Sequence, residues 1–249
     1  MHKIKVSAVS YLNSKPFIYG LQHSEILNNI DLQLDIPSDC AQKLMDGKVD
    51  LGLIPVAVIP KLKEHYIITD YCIGAEGKVA SVMLYSNVPL DEIKTVLLDY
   101  QSRASVSLVK VLAKHFWKIS PVWENSTVNF ENTFFGNTAA VIIGDRTFGL
   151  ENKYAYAYDL AEEWQKFTHL PFVFACWVAN KKLPDDFLSQ FNTALQLGLD
   201  SRPALIEELN ALKKYNTDIS FYLNSSIKYN YDEAKKKALK LFLSYCEEL

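Results

Sequence analysis

Short apolar runs of strand length alternate along the chain with stretches whose apolar residues recur every three to four positions. That is the pattern of an α/β protein. The runs KIKVSAVS (3–10), DLQLDIP (31–37), DLGLIPVAVI (50–59), VASVMLYS (79–86), TVLLD (95–99), PVWE (121–124), AAVIIGD (139–145) and FVFACWVAN (172–180) read as strands. A helix is expected near Pro16, which suits a first helical turn because its missing N–H costs nothing there. Ser38 or Asp39 is expected to cap a second helix ending at Gly47. Val106, Val109, Leu112, Ala113 and Phe116 fall at helical spacing, and from Asp185 onward every segment reads as helix.

Strands and helices alternate to about residue 180, and helices then finish the chain. The long strands 79–86 and 172–180 bracket a middle segment with its own strand–helix–strand set. The expected architecture is therefore two α/β lobes around a central cleft, with a helical C-terminal tail. Residues 1–84 plus 176–249 would form one lobe and 85–175 the inserted second, the bracketing strands serving as crossovers. Lobes joined in this way close about a hinge onto a ligand.

The 249 residues carry 26 basic and 29 acidic side chains, a net charge of -3, with 49% hydrophobic residues. A full core is expected, and no concentrated basic surface of the kind nucleic-acid binding needs. No window approaches the length of a membrane span. The start, MHKIKVSAVSYLNSKPF, lacks an apolar stretch ending in a cleavage site, so a cytoplasmic protein is expected. Cys40, Cys72, Cys176 and Cys246 are widely spaced and read as free thiols, and the five histidines show no ligand spacing. No metal is expected.

In open α/β sheets ligands gather beyond the carboxyl ends of strands. Three polar clusters stand there: Ser10, Tyr11, Asn13, Ser14 and Lys15; Asp99, Gln101, Ser102, Arg103 and Ser105; and Gly144, Asp145, Arg146 and Thr147. SRAS (102–105) opens a helix, where unpaired N–H groups, the helix dipole, two hydroxyls and a guanidinium would clamp a carboxylate or phosphate. Equally, a serine there caps the helix and Arg103 pairs with Asp99. Asn13 offers two donors and an acceptor without charge, or else stabilises a turn. Asp145 would orient a hydroxyl or Arg103, or start the next turn. The motif YLNS occurs at 11–14 and again at 222–225 with no neighbouring repeat, so the echo reads as chance, with Leu223 and Ile227 packed and Asn224 and Ser225 in solvent.

VSYLNSKPF, DLGLIP, GKVASVMLYS, LDYQSRASVSLVKVL, VIIGD and YDLAEEWQKFTHLPFVFACWVA stand in the order seen in the chorismate dehydratases, which this sequence resembles over about residues 4–180. The resemblance implies the type II periplasmic-binding-protein fold. It implies a lyase that removes water from chorismate, a small dicarboxylate, to give 3-[(1-carboxyvinyl)oxy]benzoate in the futalosine route to menaquinone, with no cofactor. It also implies that Asn13 is the catalytic asparagine at the reacting ring. Ser102, Arg103, Ala104 (through its backbone) and Ser105 would hold a carboxylate, with Ser81 and Asp145 lining the pocket. IPVAVIP departs from the family in lacking a glutamate on the third-strand loop, so no acid–base role is expected of that loop. A non-catalytic carboxylate-binding protein of the same fold is the alternative.

Overall fold

A computed structural model describes residues 3–249; Met1 and His2, with which the expected first lobe begins, lie outside them. The strands are β1 (Ile4–Val9), β2 (Ile30–Asp35), β3 (Leu51–Pro55), β4 (Tyr66–Ala75), β5 (Val82–Ser86), β6 (Thr95–Leu98), β7 (Val122–Asn125), β8 (Thr138–Ile143), β9 (Tyr156–Asp159), β10 (Phe172–Ala179) and β11 (Lys228–Asn230). The helices are α1 (Lys15–Gln22), α2 (Pro37–Met45), α3 (Arg103–Val111), α4 (Leu160–Thr168), α5 (Asp185–Asp200), α6 (Arg202–Ala211), the single turn α7 (Ile219–Phe221) and α8 (Glu233–Glu247).

The strands form two sheets. The first runs β11-β4-β10-β3-β1-β2 and the second β7-β6-β8-β5-β9. All eight residues of β10 are buried, as a strand covered on both faces requires; it runs antiparallel to β3 on one side and β4 on the other. The expected boundaries at 84/85 and 175/176 fall inside β5 and β10. Each of those strands stays with one sheet along its whole length, so the chain changes sheets in the connections 76–81 and 160–171 instead.

Other expectations need correction too. β4 carries polar residues at Thr69, Asp70 and Tyr71 and gives no clean alternation, yet it pairs with both β10 and β11. The tail after Asp185 is not all helix: β11 returns to the edge of the first sheet, antiparallel to β4. Pro37 occupies the first turn of α2 with Ile36 before it, so neither Ser38 nor Asp39 is the cap.

The tail positions the turn after β1. A Cβ on Gly20 of α1 would lie 1.9 Å from the Ala194 carbonyl oxygen of α5, and one on Gly198 of α5 would lie 1.8 Å from that of Pro16. Two glycines thus let α1 and α5 touch backbone to backbone. That contact fixes the helix that begins immediately after Asn13 and Ser14.

Candidate functional site between the lobes

β1 ends at Val9, and the chain turns through a short 3-10 segment, Leu12–Ser14. The fully buried Ser14 hydroxyl lies 2.7 Å from the Val9 carbonyl oxygen and 3.1 Å from that of Tyr11, which knots the turn. Asn13 and Tyr11 are thereby held at the inner edge of the first lobe. On the second lobe, the buried Asp159 carboxylate shapes the connection 76–81. One oxygen accepts the N–H groups of Val79 and Ala80 at 2.8 and 2.7 Å, and the other caps α4 through Ala161 and Glu162. Ala80 is held at a φ of +63°, a conformation rare outside glycine, and Ser81 is presented next to it.

These segments enclose a cavity of about 50 Å³. Its polar lining is Tyr11, Asn13, Ser81, Ser102 and Ser105; Val9, Ile73, Val79, Val82, Ile143 and Phe174 supply apolar walls. Ser102 caps α3, accepting the Ser105 N–H at 3.0 Å, and its hydroxyl lies 2.8 Å from that of Ser105. The capping part of the second reading of SRAS is met, and the capping serine also faces the cavity. The N–H groups of the first helical turn lack intrahelical partners and carry the positive end of the dipole, and Ala104 lies on the cavity wall.

Of the seven expected site residues, Asn13, Ser81, Ser102, Ala104 and Ser105 come together here, while Arg103 and Asp145 do not line the cavity. Residues three and four apart share a helix face. Arg103 accordingly falls with Val106, Ser107 and Lys110 along an outer groove of about 1070 Å³, which shares Ser102 with the cavity. Its guanidinium donates to Gln42 Oε1 of the first lobe at 3.1 Å. It does not pair with Asp99, which takes Arg146 at 2.5 Å and the N–H groups of Gln101 and Ile143. Asp145 accepts the Leu12 N–H at 3.0 Å. Burial pushes its carboxyl above the usual carboxylate range, against the pull of that hydrogen bond.

Arg103 and Asp145 thus tie lobe to lobe, and two further links join them. The Tyr11 hydroxyl bonds Gln101 Oε1, and the Ser38 N–H donates to the Gln101 carbonyl at 3.2 Å. Gly144, at a φ of +66°, lies under the Tyr11 ring; a Cβ there would meet Tyr11 Cε2 at 2.6 Å. The structure is therefore a closed form, and 50 Å³ is far below the roughly 300 Å³ at which small-molecule sites begin. A ligand of ordinary small-molecule size enters only with the lobes apart.

Two buried tyrosines of the tail stand behind this site and were not singled out from the sequence. Tyr222 donates to Ser81 Oγ at 2.7 Å, and Tyr229 donates to the Asn13 carbonyl at 2.9 Å. The repeated YLNS was the one signal pointing at Tyr222. As expected there, Leu223 and Ile227 are buried and Asn224 and Ser225 exposed.

The family described as menaquinone biosynthesis matches residues 4–248. A chorismate dehydratase of Thermus thermophilus is 25% identical over 92% of this chain and 94% of its own. One of Campylobacter jejuni is 27% identical over 97% and 96%. A crystal structure of an Archaeoglobus fulgidus protein superposes with a TM-score of 0.78 at 14% identity, covering 99% of this chain and 97% of that one. The alkanesulfonate-binding protein of Xanthomonas axonopodis superposes with a TM-score of 0.64 at 15% identity over 97% and 90%. The structural likenesses establish the periplasmic-binding-protein-like fold, and the match of the family along almost the whole sequence establishes that the chain belongs to the menaquinone-biosynthesis family.

Proposed function

We propose that this chain is a chorismate dehydratase, a hydro-lyase that converts chorismate to 3-[(1-carboxyvinyl)oxy]benzoate on the futalosine route to menaquinone. The observation that carries the reading is the inter-lobe cavity, which gathers an amide, three serine hydroxyls and a helix start against apolar walls. The relatives named for the same reaction support it. Buried free thiols at Cys40, Cys72 and Cys176 fit a reducing, cytoplasmic setting.

Chorismate is a dianion. In this reading the start of α3, with the Ser102 and Ser105 hydroxyls and the Ala104 N–H, receives one carboxylate. Asn13 and Ser81 flank the ring. Arg103 and Asp145, expected as substrate ligands, act instead by holding the lobes closed over it. Apolar walls exclude water once the lobes meet.

The lining supports a reading of the proton acceptor. Among the described lining residues the titratable side chain is Tyr11, and burial pushes its pKa well up, so it stays protonated. The enolpyruvyl carboxylate of the substrate then takes the ring proton. The C–H electron pair closes the aromatic ring, the ring C–O bond breaks, and the hydroxide leaves with that proton as water. Aromatisation drives the step downhill, so the protein mainly positions groups.

The test is to incubate the purified protein with chorismate and analyse the mixture by mass spectrometry. The expected result is conversion to an aromatic product lighter by one water. Tight binding of unchanged chorismate would replace this reading with a non-catalytic binding protein of the same fold.

A further inference from the structure

The outer groove of about 1070 Å³ takes no part in the chemistry above, and its charge runs against that of the whole chain. Lys61, Arg103, Lys110, Lys114 and Lys118 line it, in a protein whose net charge is -3. Residues three or four apart share a helix face. Arg103, Ser107, Lys110 and Lys114 keep that spacing along α3 and the π-helical turn that continues it, Leu112–Trp117. The stripe reaches roughly 15 Å outward from the start of α3, at about 1.5 Å per residue. Lys118 follows at the end of that turn, and Lys61 comes from the 3-10 segment Val56–Lys61 of the first lobe.

These cations lack counterions. The one acidic side chain among the described lining residues, Asp99, is taken by Arg146. Among the described residues the ion pairs go to other lysines, to His115 and to Arg146. Arg103 donates to Gln42 Oε1 and Lys114 to the Glu248 carbonyl, both neutral acceptors. Lys110 lies over the Trp123 ring, 5.7 Å from its centroid, and Lys114 and Lys118 are exposed. A concave surface lined by one sign of charge focuses its field and concentrates ions of the other sign.

Where the groove leads decides which anion it suits. It shares Ser102 with the inter-lobe cavity, so its inner end is the start of α3. Its volume is that of a small-molecule site. A nucleic acid would run beyond it onto a surface left the more acidic by the gathering of cations here, without the extended basic face that such binding needs.

We infer that this groove is an outer capture site for a small dianion, which it concentrates beside the start of α3 and passes to the cleft when the lobes part. That the dianion is chorismate rests on the reading proposed above. The capture site itself rests on the charge of the groove and its junction with the cavity at Ser102.

The test removes three charges together, with Lys110→Gln, Lys114→Gln and Lys118→Gln, and leaves Arg103 in place. Chorismate binding is followed by stopped-flow tryptophan fluorescence over a range of sodium chloride concentrations. The wild-type association rate is expected to fall steeply with salt. That of the triple variant is expected to be about 10-fold lower at low salt and nearly flat, with kcat within about twofold. An association rate and salt dependence equal to the wild type's would overturn the inference.

A second readout needs no chorismate. Isophthalate, a plain aromatic dianion, is titrated at low salt while the Trp123 indole N–H signal, identified by its loss in Trp123→Phe, is followed by NMR. The signal is expected to shift in the wild type and to stay nearly still in the triple variant. Equal shifts in both, no shift in the wild type, or a shift with a short oligonucleotide alone would each rule the capture site out. If the wild type neither binds nor converts chorismate, the proposed reaction fails separately, and the isophthalate titration alone decides. Should the triple variant not fold for want of Lys110 over the Trp123 ring, Lys114→Gln with Lys118→Gln removes only exposed charges. A loss of about threefold in association rate is then expected, and no loss would overturn the inference.

Discussion

At the scale of single residues, the site is a set of neutral groups made directional by burial. Asn13 and Ser81 carry no charge, and a buried phenol stands behind each, Tyr229 bonded to the Asn13 carbonyl and Tyr222 to Ser81 Oγ. The same burial has a thermodynamic consequence. Tyr11, Tyr85, Tyr222 and Tyr229 all have their pKa values pushed up by loss of water. In the unfolded chain these phenols ionise from their ordinary value of 10.0 upward, while the folded protein still keeps their protons. The unfolded state then binds fewer protons, so stability falls as pH rises. Urea denaturation between about pH 8 and pH 11 is expected to show constant stability with respect to these groups up to about pH 10 and a steep loss above it. Stability that rises beyond that point would contradict the burial assigned to them.

Among secondary-structure elements, the connection 76–81 shows most clearly how a distant residue builds a site. Asp159 joins the start of α4 to the backbone of Val79 and Ala80, and so holds Ser81 in place. Asp159→Ala removes a helix cap and leaves buried N–H groups unpaired, and is expected to cost about 2–4 kcal/mol in chemical denaturation. A loss below about 0.5 kcal/mol, the scale of a neutral surface change, would contradict that role.

This element also marks where sequence reading succeeds and where it stops. β10 is legible because eight consecutive apolar residues have no other stable place than between two neighbouring strands. β4 is not, because Thr69, Asp70 and Tyr71 interrupt its apolar pattern and its place is set by pairing with β10 and β11. The start of α3 is legible as a polar, N–H-rich cluster. Which of its side chains face inward is decided by helix geometry: Ala104 and Ser105 turn to the cavity while Arg103 turns to the outer groove. Asp145 likewise stands at a strand end as expected, but the Leu12 N–H of the other lobe claims its carboxylate. Tyr222 owes its place beside Ser81 wholly to tertiary packing, since no local pattern places the tail there.

For the whole molecule, the central property is closure. The links that cross between the lobes at the cleft include Tyr11 to Gln101, Leu12 to Asp145, Ser38 to Gln101 and Arg103 to Gln42. Each of these is a hydrogen bond rather than a broad apolar contact. That suits a cleft that must open for a ligand and shut to exclude water. Gly144 controls the tightest approach. Gly144→Ala would place a Cβ 2.6 Å from the Tyr11 ring at a φ of +66°. The expected outcome is a loss of about 1–2 kcal/mol from the left-handed conformation, with Tyr11 displaced and the lobes further apart. Small-angle scattering is expected to show a larger radius of gyration than the wild type. An unchanged scattering curve together with unchanged stability would mean that Tyr11 and Gly144 do not set closure.

The proposed reaction requires Asn13 to act on a ring substrate inside this cleft. The most direct measurement is a proton-NMR time course of chorismate with the wild type and Asn13→Ala side by side, with chorismate binding to each checked by calorimetry. The expected result is that the wild type converts the ring signals to those of an aromatic enolpyruvyl ether. Asn13→Ala should still bind chorismate but turn it over about 100-fold or more slowly, the scale of losing one donor at the reacting centre. Full turnover by Asn13→Ala, or unchanged chorismate with the wild type, would contradict it.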